Sequence, residues 1–244
     1  MGQWIRETAR EPVRALLGFL LRYLHQLETH GLENVPRTGP FVLISNHGSY
    51  YDPVIIRAVL RRRVCFIAWK EIFSWPVVGR LARLAGAFPV DLEKRQDLDA
   101  FREALGILKT GGAVGIFPEG GREPGPFMAS VKLGAVQIAL RGGAPIVPVS
   151  IVGVHDIWPR RRRFPQPGKI AITFHPSISM PSRPFASWRQ ERAFLEKLME
   201  QVRDVINSEI ATRLRRWEEE GYIGSTMRRF HLTDAKSGDI LGRQ

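Results

Sequence analysis

Cysteine is all but absent: Cys65 is the single one among 244 residues. No internal disulfide can form, which excludes a secreted disulfide scaffold and disfavours a zinc site built on cysteines. The histidines do not supply one either. His155, His175 and His231 have no partner at metal-ligand spacing and read as structural or exposed. A long apolar run is also missing. The best candidate, Ala15–Leu21, has seven residues between Arg14 and Arg22, about a third of the ~20 that a membrane-crossing helix needs. Glu7 and Glu11 dilute the basic start, and no small-residue cleavage site follows, so a signal peptide fits poorly. Acidic residues are the last shortage. Against 36 Lys and Arg stand 24 Asp and Glu, a net charge of +12. Such an excess points to a polyanionic partner, nucleic acid or an anionic membrane, and composition alone does not choose between them.

What is present is ordinary for a globular protein, with 44% hydrophobic and 25% charged residues. Strand-like runs occur at Phe41–Ser45, Val64–Ala68, Phe88–Val90, Ala113–Phe117, Ile146–Val152 and Ile170–Phe174. Most are short, apolar and rich in Val and Ile, as for strands covered on both faces. Helical patterns lie between them at Pro53–Arg62, Pro76–Ala85, Leu98–Lys109 and Ser130–Arg141, and a long amphipathic stretch, Trp188–Glu219, follows. The alternation predicts a single α/β domain with a largely parallel or mixed central sheet flanked by helices. An amphipathic helix precedes it over about residues 10–28, with Leu16, Leu17, Leu20, Leu21, Leu24 and Leu27 at helical spacing. That helix either packs on the protein's own core or lies in a bilayer interface; Trp4, Phe19 and Tyr23 suit the second place. The expected organisation is a membrane-associating helix at 1–30, the α/β domain at 31–220 and a loosely attached tail at 221–244.

The strand Phe41–Ser45 runs into Asn46-His47-Gly48-Ser49-Tyr50-Tyr51-Asp52-Pro53. Asp-Pro signals a helix start, with Asp52 as cap and Pro53 in the first turn. His47 then falls in a tight strand-to-helix turn. Within one helix two residues five apart would point about 140° away from each other, but a turn brings their side chains into hydrogen-bond reach. A carboxylate on one imidazole nitrogen fixes the tautomer and raises the basicity of the other. The bland alternative is that Asp52 merely caps. Placement at the carboxyl end of a strand, where α/β proteins bind ligands, favours catalysis.

The second segment, Phe117-Pro-Glu-Gly-Gly-Arg122, also follows a buried strand and so opens on the same edge if the strands are parallel. Its glycines allow close backbone approach to a ligand, and Arg122 offers a planar fork suited to phosphate. Glu119 can hold Arg122 or another base by a short ion pair. A helix expected from Ser130 adds Lys132 and a positive helix end nearby. A Gly-rich turn with solvated charges is the plainer alternative. No Walker-type Gly-Lys-Ser is present, so a nucleotide P-loop is unsupported.

Together, Asn46-His47-x4-Asp52 and Phe117-Pro-Glu-Gly-x-Arg122 resemble the glycerolipid acyltransferases, specifically the 1-acyl-glycerol-3-phosphate acyltransferases. Gly86-Ala-Phe-Pro-Val-Asp91 and Ala144-Pro-Ile-Val-Pro-Val149 are looser matches to the family's second and fourth blocks. The chain departs from the pattern at Leu92, usually arginine, and at Gly121, usually threonine. The resemblance implies transfer of a fatty acyl group from an acyl thioester to the free hydroxyl of a lysophospholipid, giving phosphatidic acid. It implies His47 as general base, Asp52 as its orienting partner, and Glu119, Gly120 and Arg122 around the acceptor, with Arg122 on the phosphate. No metal and no resident cofactor are expected; acyl-coenzyme A or acyl-carrier protein serves as co-substrate. Alternative readings are a family member acting on another lysolipid, such as an ornithine-type acceptor, or a non-catalytic lipid-binding protein, which would have no need of His47 and Asp52.

Arg61-Arg62-Arg63 and Arg160–Arg163 carry much of the excess charge and suit an anionic membrane surface or an acidic acyl donor, or else form solvated basic loops. With no recognised nucleic-acid motif and no aromatic stacking ladder, nucleic acid is not the expected partner. The expectation is therefore an acyltransferase lying peripherally or monotopically on the cytoplasmic face of the cell membrane.

Overall fold

A computed structural model of the chain describes residues 10–76, 79–80, 87–90, 98–122, 124–158, 164–182 and 185–222. The short apolar runs form strands β1 (Glu28–His30), β2 (Phe41–Ser45), β3 (Val64–Trp69), β4 (Phe88–Val90), β5 (Ala113–Ile116), β6 (Ile146–Val152) and β7 (Ala171–Phe174). The helices are α1 (Arg10–His25), α2 (Asp52–Val59), α3 (Leu98–Lys109), α4 (Gly134–Gly142), the single turn α5 (Val154–Ile157) and α6 (Trp188–Glu219).

The strands join in one sheet of order β1-β7-β6-β2-β5-β3-β4. Every pairing is parallel except β6 with β7, so the sheet is mixed. Strand β2 sits between β5 and β6, with Leu43 opposite both Gly115 and Val147. The chain leaves β2 in one direction and later returns to place β6 on its other side. That reversal falls at the carboxyl ends of β2, β5 and β6, the usual ligand position in sheets of this type.

Alternation along β2 divides the core. Phe41 and Leu43 face one apolar layer with Leu21 of α1 and Ile55 and Ile56 of α2. Val42 and Ile44 face the other, with Ala104 and Leu108 of α3, Val136 of α4, and Val202 and Ile206 of α6. Burying each such side chain stabilises the fold by about 1.5–3 kcal/mol, and all of β2 is buried. The carboxyl end of β2 is thus a rigid support for whatever follows it.

Several elements differ from expectation. Helix α1 stops at His25, not 28, because Gln26 takes a left-handed backbone (φ 43°) that cannot continue a right-handed helix. The next residues form β1, a polar Glu-Thr-His strand with no sequence signal of its own; it exists because β7 offers it a parallel partner. Helix α2 is three residues shorter at its end than the Pro53–Arg62 pattern, stopping at Val59. Arg62 beyond it donates to the carbonyls of Pro36, Gly39 and Gly111 (3.0, 2.7 and 2.9 Å). It is a clamp on three loops, so only Arg61 and Arg63 of that cluster stand exposed. Helix α4 starts at Gly134, not Ser130, which leaves Lys132 in the loop before it. Arg160–Arg163, Leu92, Trp4, the tail beyond residue 222 and most of the Pro76–Ala85 pattern lie outside the described residues.

Helix α1 is apolar on two sides. Leu21 is 1% exposed and packs towards α2, where Arg14 also donates to the Ala58 carbonyl (3.3 Å). Leu16, Phe19, Leu20 and Tyr23, at 60%, 64%, 41% and 78% exposure, form a second stripe that faces solvent. The two sequence-derived placements of this helix are therefore not exclusive. No described helix is long and apolar enough to cross a membrane.

Midway along α6, Ser150 of β6 donates to the Ile206 carbonyl (3.1 Å) and its oxygen meets His175 Nε2 at 2.8 Å. Ser150 has one proton to give, so the ring nitrogen must be the donor between them. Burial pushes the His175 pKa down against the opposing pull of Glu209. Arg213 completes the strap, bonded to Glu28 and Glu209 (2.8 and 3.1 Å).

Candidate active site

The turn that follows β2, the candidate catalytic turn, is built around one buried carboxylate. Asp52 is 0% exposed, and its Oδ2 accepts three hydrogen bonds: His47 Nδ1 at 2.8 Å and the backbone N–H groups of Gly48 and Ser49 at 2.9 Å each. A carboxylate already taking two amide protons cannot donate, so the imidazole carries its proton on Nδ1 and keeps Nε2 as the basic nitrogen. Asp52 is not the helix cap that the sequence suggested. Tyr51 occupies the cap without a side-chain bond, and Asp52 is the first helical residue. Its side chain reaches back to the turn instead of forward into the helix, which is how it meets His47.

The imidazole is also fixed from one face. It stacks on Phe117, centroids 4.1 Å apart, and Phe117 stacks on Phe66 at 5.7 Å. Room for Phe66 comes from Gly115, the β5 residue paired with Leu43: a methyl group there would overlap the Phe66 ring. A glycine inside a strand thus sets the plane of the base two rings away. Gly48 has a comparable reason, since a side chain at 48 would overlap the His155 imidazole. His155, dismissed at sequence level as structural or exposed, lies against the catalytic turn. Asn46 ties that turn to β6, donating to the Ile151 carbonyl (2.8 Å) and accepting from its N–H (2.9 Å).

The loop after β5 is brought onto this turn. Glu119 Oε2 accepts the His47 N–H at 2.7 Å. The sequence places Glu119 around an acceptor or beside Arg122; the structure adds this bond from its Oε2 to the His47 backbone. Gly120 has φ 72°, and a β-carbon there would lie 2.8 Å from Lys132 Nζ. Lys132, whose N–H donates to the Pro118 carbonyl (2.9 Å), therefore holds its ammonium over the glycine. The guanidinium of Arg122 lies 3.7 Å over the Tyr50 ring. Tyr50, three residues from His47, carried no sequence signal beyond its place in the motif.

Tyr51 turns the other way. It meets His25, the last residue of α1, edge-on (centroids 5.5 Å), with its hydroxyl 3.3 Å from Nε2. Burial pushes the His25 pKa down and the Tyr51 pKa up. Ser49 offers no nucleophile: it is 1% exposed, and its hydroxyl donates to the Trp158 carbonyl (3.1 Å). Among the described residues no cluster of His, Cys, Asp and Glu is arranged to hold a metal.

Fold and site together define a class: an α/β protein with a carboxylate-oriented imidazole at the end of a central strand, among the described residues no free serine or cysteine beside it, and cations on the neighbouring loop. The chain belongs to the acyltransferase family, whose model matches residues 26–152, just over half of it. It is 32% identical over 137 residues to a chloroplastic 1-acyl-sn-glycerol-3-phosphate acyltransferase of Brassica napus, covering 55% of this chain and 40% of that one. It is 30% identical over 179 residues to the mouse 1-acyl-sn-glycerol-3-phosphate acyltransferase alpha, covering 71% and 63%. The chain thus spans less than two thirds of these relatives' length. Among solved structures it resembles the 1-acyl-sn-glycerophosphate acyltransferase PlsC of Thermotoga maritima, with a TM-score of 0.61, 28% identity, and 82% and 83% of the two chains covered.

Proposed function

We propose that this protein moves a fatty acyl group from an acyl thioester to the free hydroxyl of 1-acyl-glycerol-3-phosphate, giving phosphatidic acid. The observation that carries the reading is the His47–Asp52 pair, oriented by backbone amides and stacked on Phe117, with Arg122 and Lys132 on the adjoining loop. His47 Nε2 takes the acceptor's hydroxyl proton as its oxygen attacks the thioester carbonyl. The C–O bond forms, the C–S bond breaks, and the imidazolium returns its proton to the departing thiolate. Asp52 keeps the ring in the useful tautomer and stabilises its charged form, as general base catalysis requires. Arg122 and Lys132 complement the acceptor's phosphate, and Glu119 and Gly120 shape the loop that carries them. The donor is acyl-coenzyme A or acyl-carrier protein, acting as co-substrate; no resident cofactor takes part.

The protein works from the cytoplasmic face of an anionic membrane, with Leu16, Phe19, Leu20 and Tyr23 of α1 in the interface and basic residues against the headgroups. This stripe supports that placement because an apolar helix face left exposed by the described residues suits a headgroup boundary. Purified protein incubated with a panel of lysolipids and both donors, with products read by mass, tests the reaction. Phosphatidic acid from lysophosphatidate is the expected product, and its absence with every donor refutes the reading.

A further inference from the structure

Arg122 is held by an aromatic shelf. Its guanidinium carbon sits 3.7 Å from the Tyr50 ring centroid, which is van der Waals contact across the face of the ring. Tyr50 is itself braced edge-on by Trp75, centroids 5.7 Å apart and planes at 88°. The Arg122 loop is glycine-rich where it reaches the arginine. Gly120 and Gly121 precede the arginine, and a side chain built at Gly121 would meet nothing within 4 Å. Tyr50, in contrast, lies within the most tightly bonded stretch of the site, between Ser49, whose N–H is taken by Asp52, and Tyr51, whose N–H is taken by the Ser49 hydroxyl (3.2 Å).

We infer that Tyr50, braced by Trp75, is a positioning residue that sets the distance between the phosphate-binding arginine and the catalytic base. Stacking occupies a face of the guanidinium and directs its hydrogen bonding to the in-plane edge, the geometry that matches a phosphate bidentately. In a glycerol phosphate acceptor the separation between phosphate and reacting hydroxyl is fixed within a narrow range. A fork anchored to the same turn as His47 therefore selects acceptors in which that separation fits. A lysine in place of Arg122 would keep the charge but lose the stack. The inference rests on the reading of Arg122 as the phosphate ligand.

The test is a double-mutant cycle of Tyr50→Leu and Arg122→Lys, read as kcat and KM for lysophosphatidate and for the thioester, with circular dichroism melts to confirm folding. Tyr50→Leu is expected to lower kcat/KM for the acceptor about tenfold, with the thioester KM unmoved, and Tyr50→Phe to restore most of it. In the Tyr50→Leu background, Arg122→Lys is expected to cost clearly less than in the parent. Additive losses, or equal changes in both KM values, would overturn the shelf. If Tyr50→Leu fails to fold, Trp75→Leu is judged by the same criteria. A parent protein that binds lysophosphatidate in calorimetry without acylating it refutes the proposed reaction alone. The shelf then stands if Tyr50→Leu binds more weakly and falls if it binds equally. No binding by the parent overturns both.

Discussion

The loops that follow β2 and β5 meet in the site but are held in different ways. The β2 turn is closed on itself: Asp52 gathers His47, Gly48 and Ser49 onto one oxygen, and Asn46 bonds both polar groups of Ile151. The β5 loop leans on the first. Glu119 rests on the His47 amide, and Arg122 on Tyr50. Under the proposed reaction, proton transfer demands placement within hydrogen-bond tolerance, which the backbone-bonded carboxylate of Asp52 gives His47. Under the same proposal, phosphate recognition tolerates more, and Arg122 and Lys132 belong to a loop that contains Gly120 and Gly121.

The contrast is open to breaking at either loop. The largest effect is expected at the β2 turn: His47→Ala should lower kcat by about 10²–10⁴, while its melting temperature stays close to the parent's, measured by calorimetry. Full activity in that variant would sink the mechanism. At the β5 loop, Arg122→Ala should raise the acceptor KM about tenfold or more and leave the thioester KM alone; the reverse pattern would remove Arg122 from the phosphate. A smaller effect is expected where the two loops are coupled through the sheet. Gly115→Ala forces Phe66, Phe117 and then the imidazole to shift, which should cost about 1–3 kcal/mol of stability and reduce kcat more than either KM. An unchanged kcat would mean that the ring stack does not position the base.

The smallest effect concerns protons outside the reacting pair. Burial lowers the pKa of both His25 and His175 below the usual 6.5. Above that value folded and unfolded rings are both neutral and contribute nothing. As pH falls through it, the unfolded chain takes up protons that the folded rings refuse, so stability declines with acidification. Melting curves between about pH 7.5 and 5.5 should show that decline, and His175→Gln should make it shallower. A decline no shallower than the parent's would mean that His175 is not its source.

The meeting of His47 with Asp52 was one of two readings the sequence offered, since a strand-to-helix turn lets the carboxylate either reach back to the imidazole or serve only as a cap; the structure has the first. Strands β2, β4 and β6 were legible to the residue, since an apolar run between turn residues admits one assignment. Strand β1 was not, because three polar residues become a strand only when β7 is beside them. Nor was the work of Gly115, Tyr50 or Arg62. A glycine in a strand, a tyrosine in a motif and an arginine in a basic run each have a commonplace explanation until their neighbours are known. The long shortage of acidic residues, read at first as one surface property, divides in the same way: Arg62 is a clamp on carbonyls, Arg122 a stacked fork, and Lys132 a cation over a glycine.

By itself, then, the sequence determined the α/β class, the parallel middle of the sheet and a turn able to bring His47 to Asp52, which follow from short-range periodicity and turn geometry. Only the tertiary structure decided which apolar stripe of α1 stays uncovered, that Glu119 supports the base's backbone, and which rings orient the imidazole and the guanidinium. Those are contacts between segments far apart in the chain, and their energies depend on distances that no local pattern encodes.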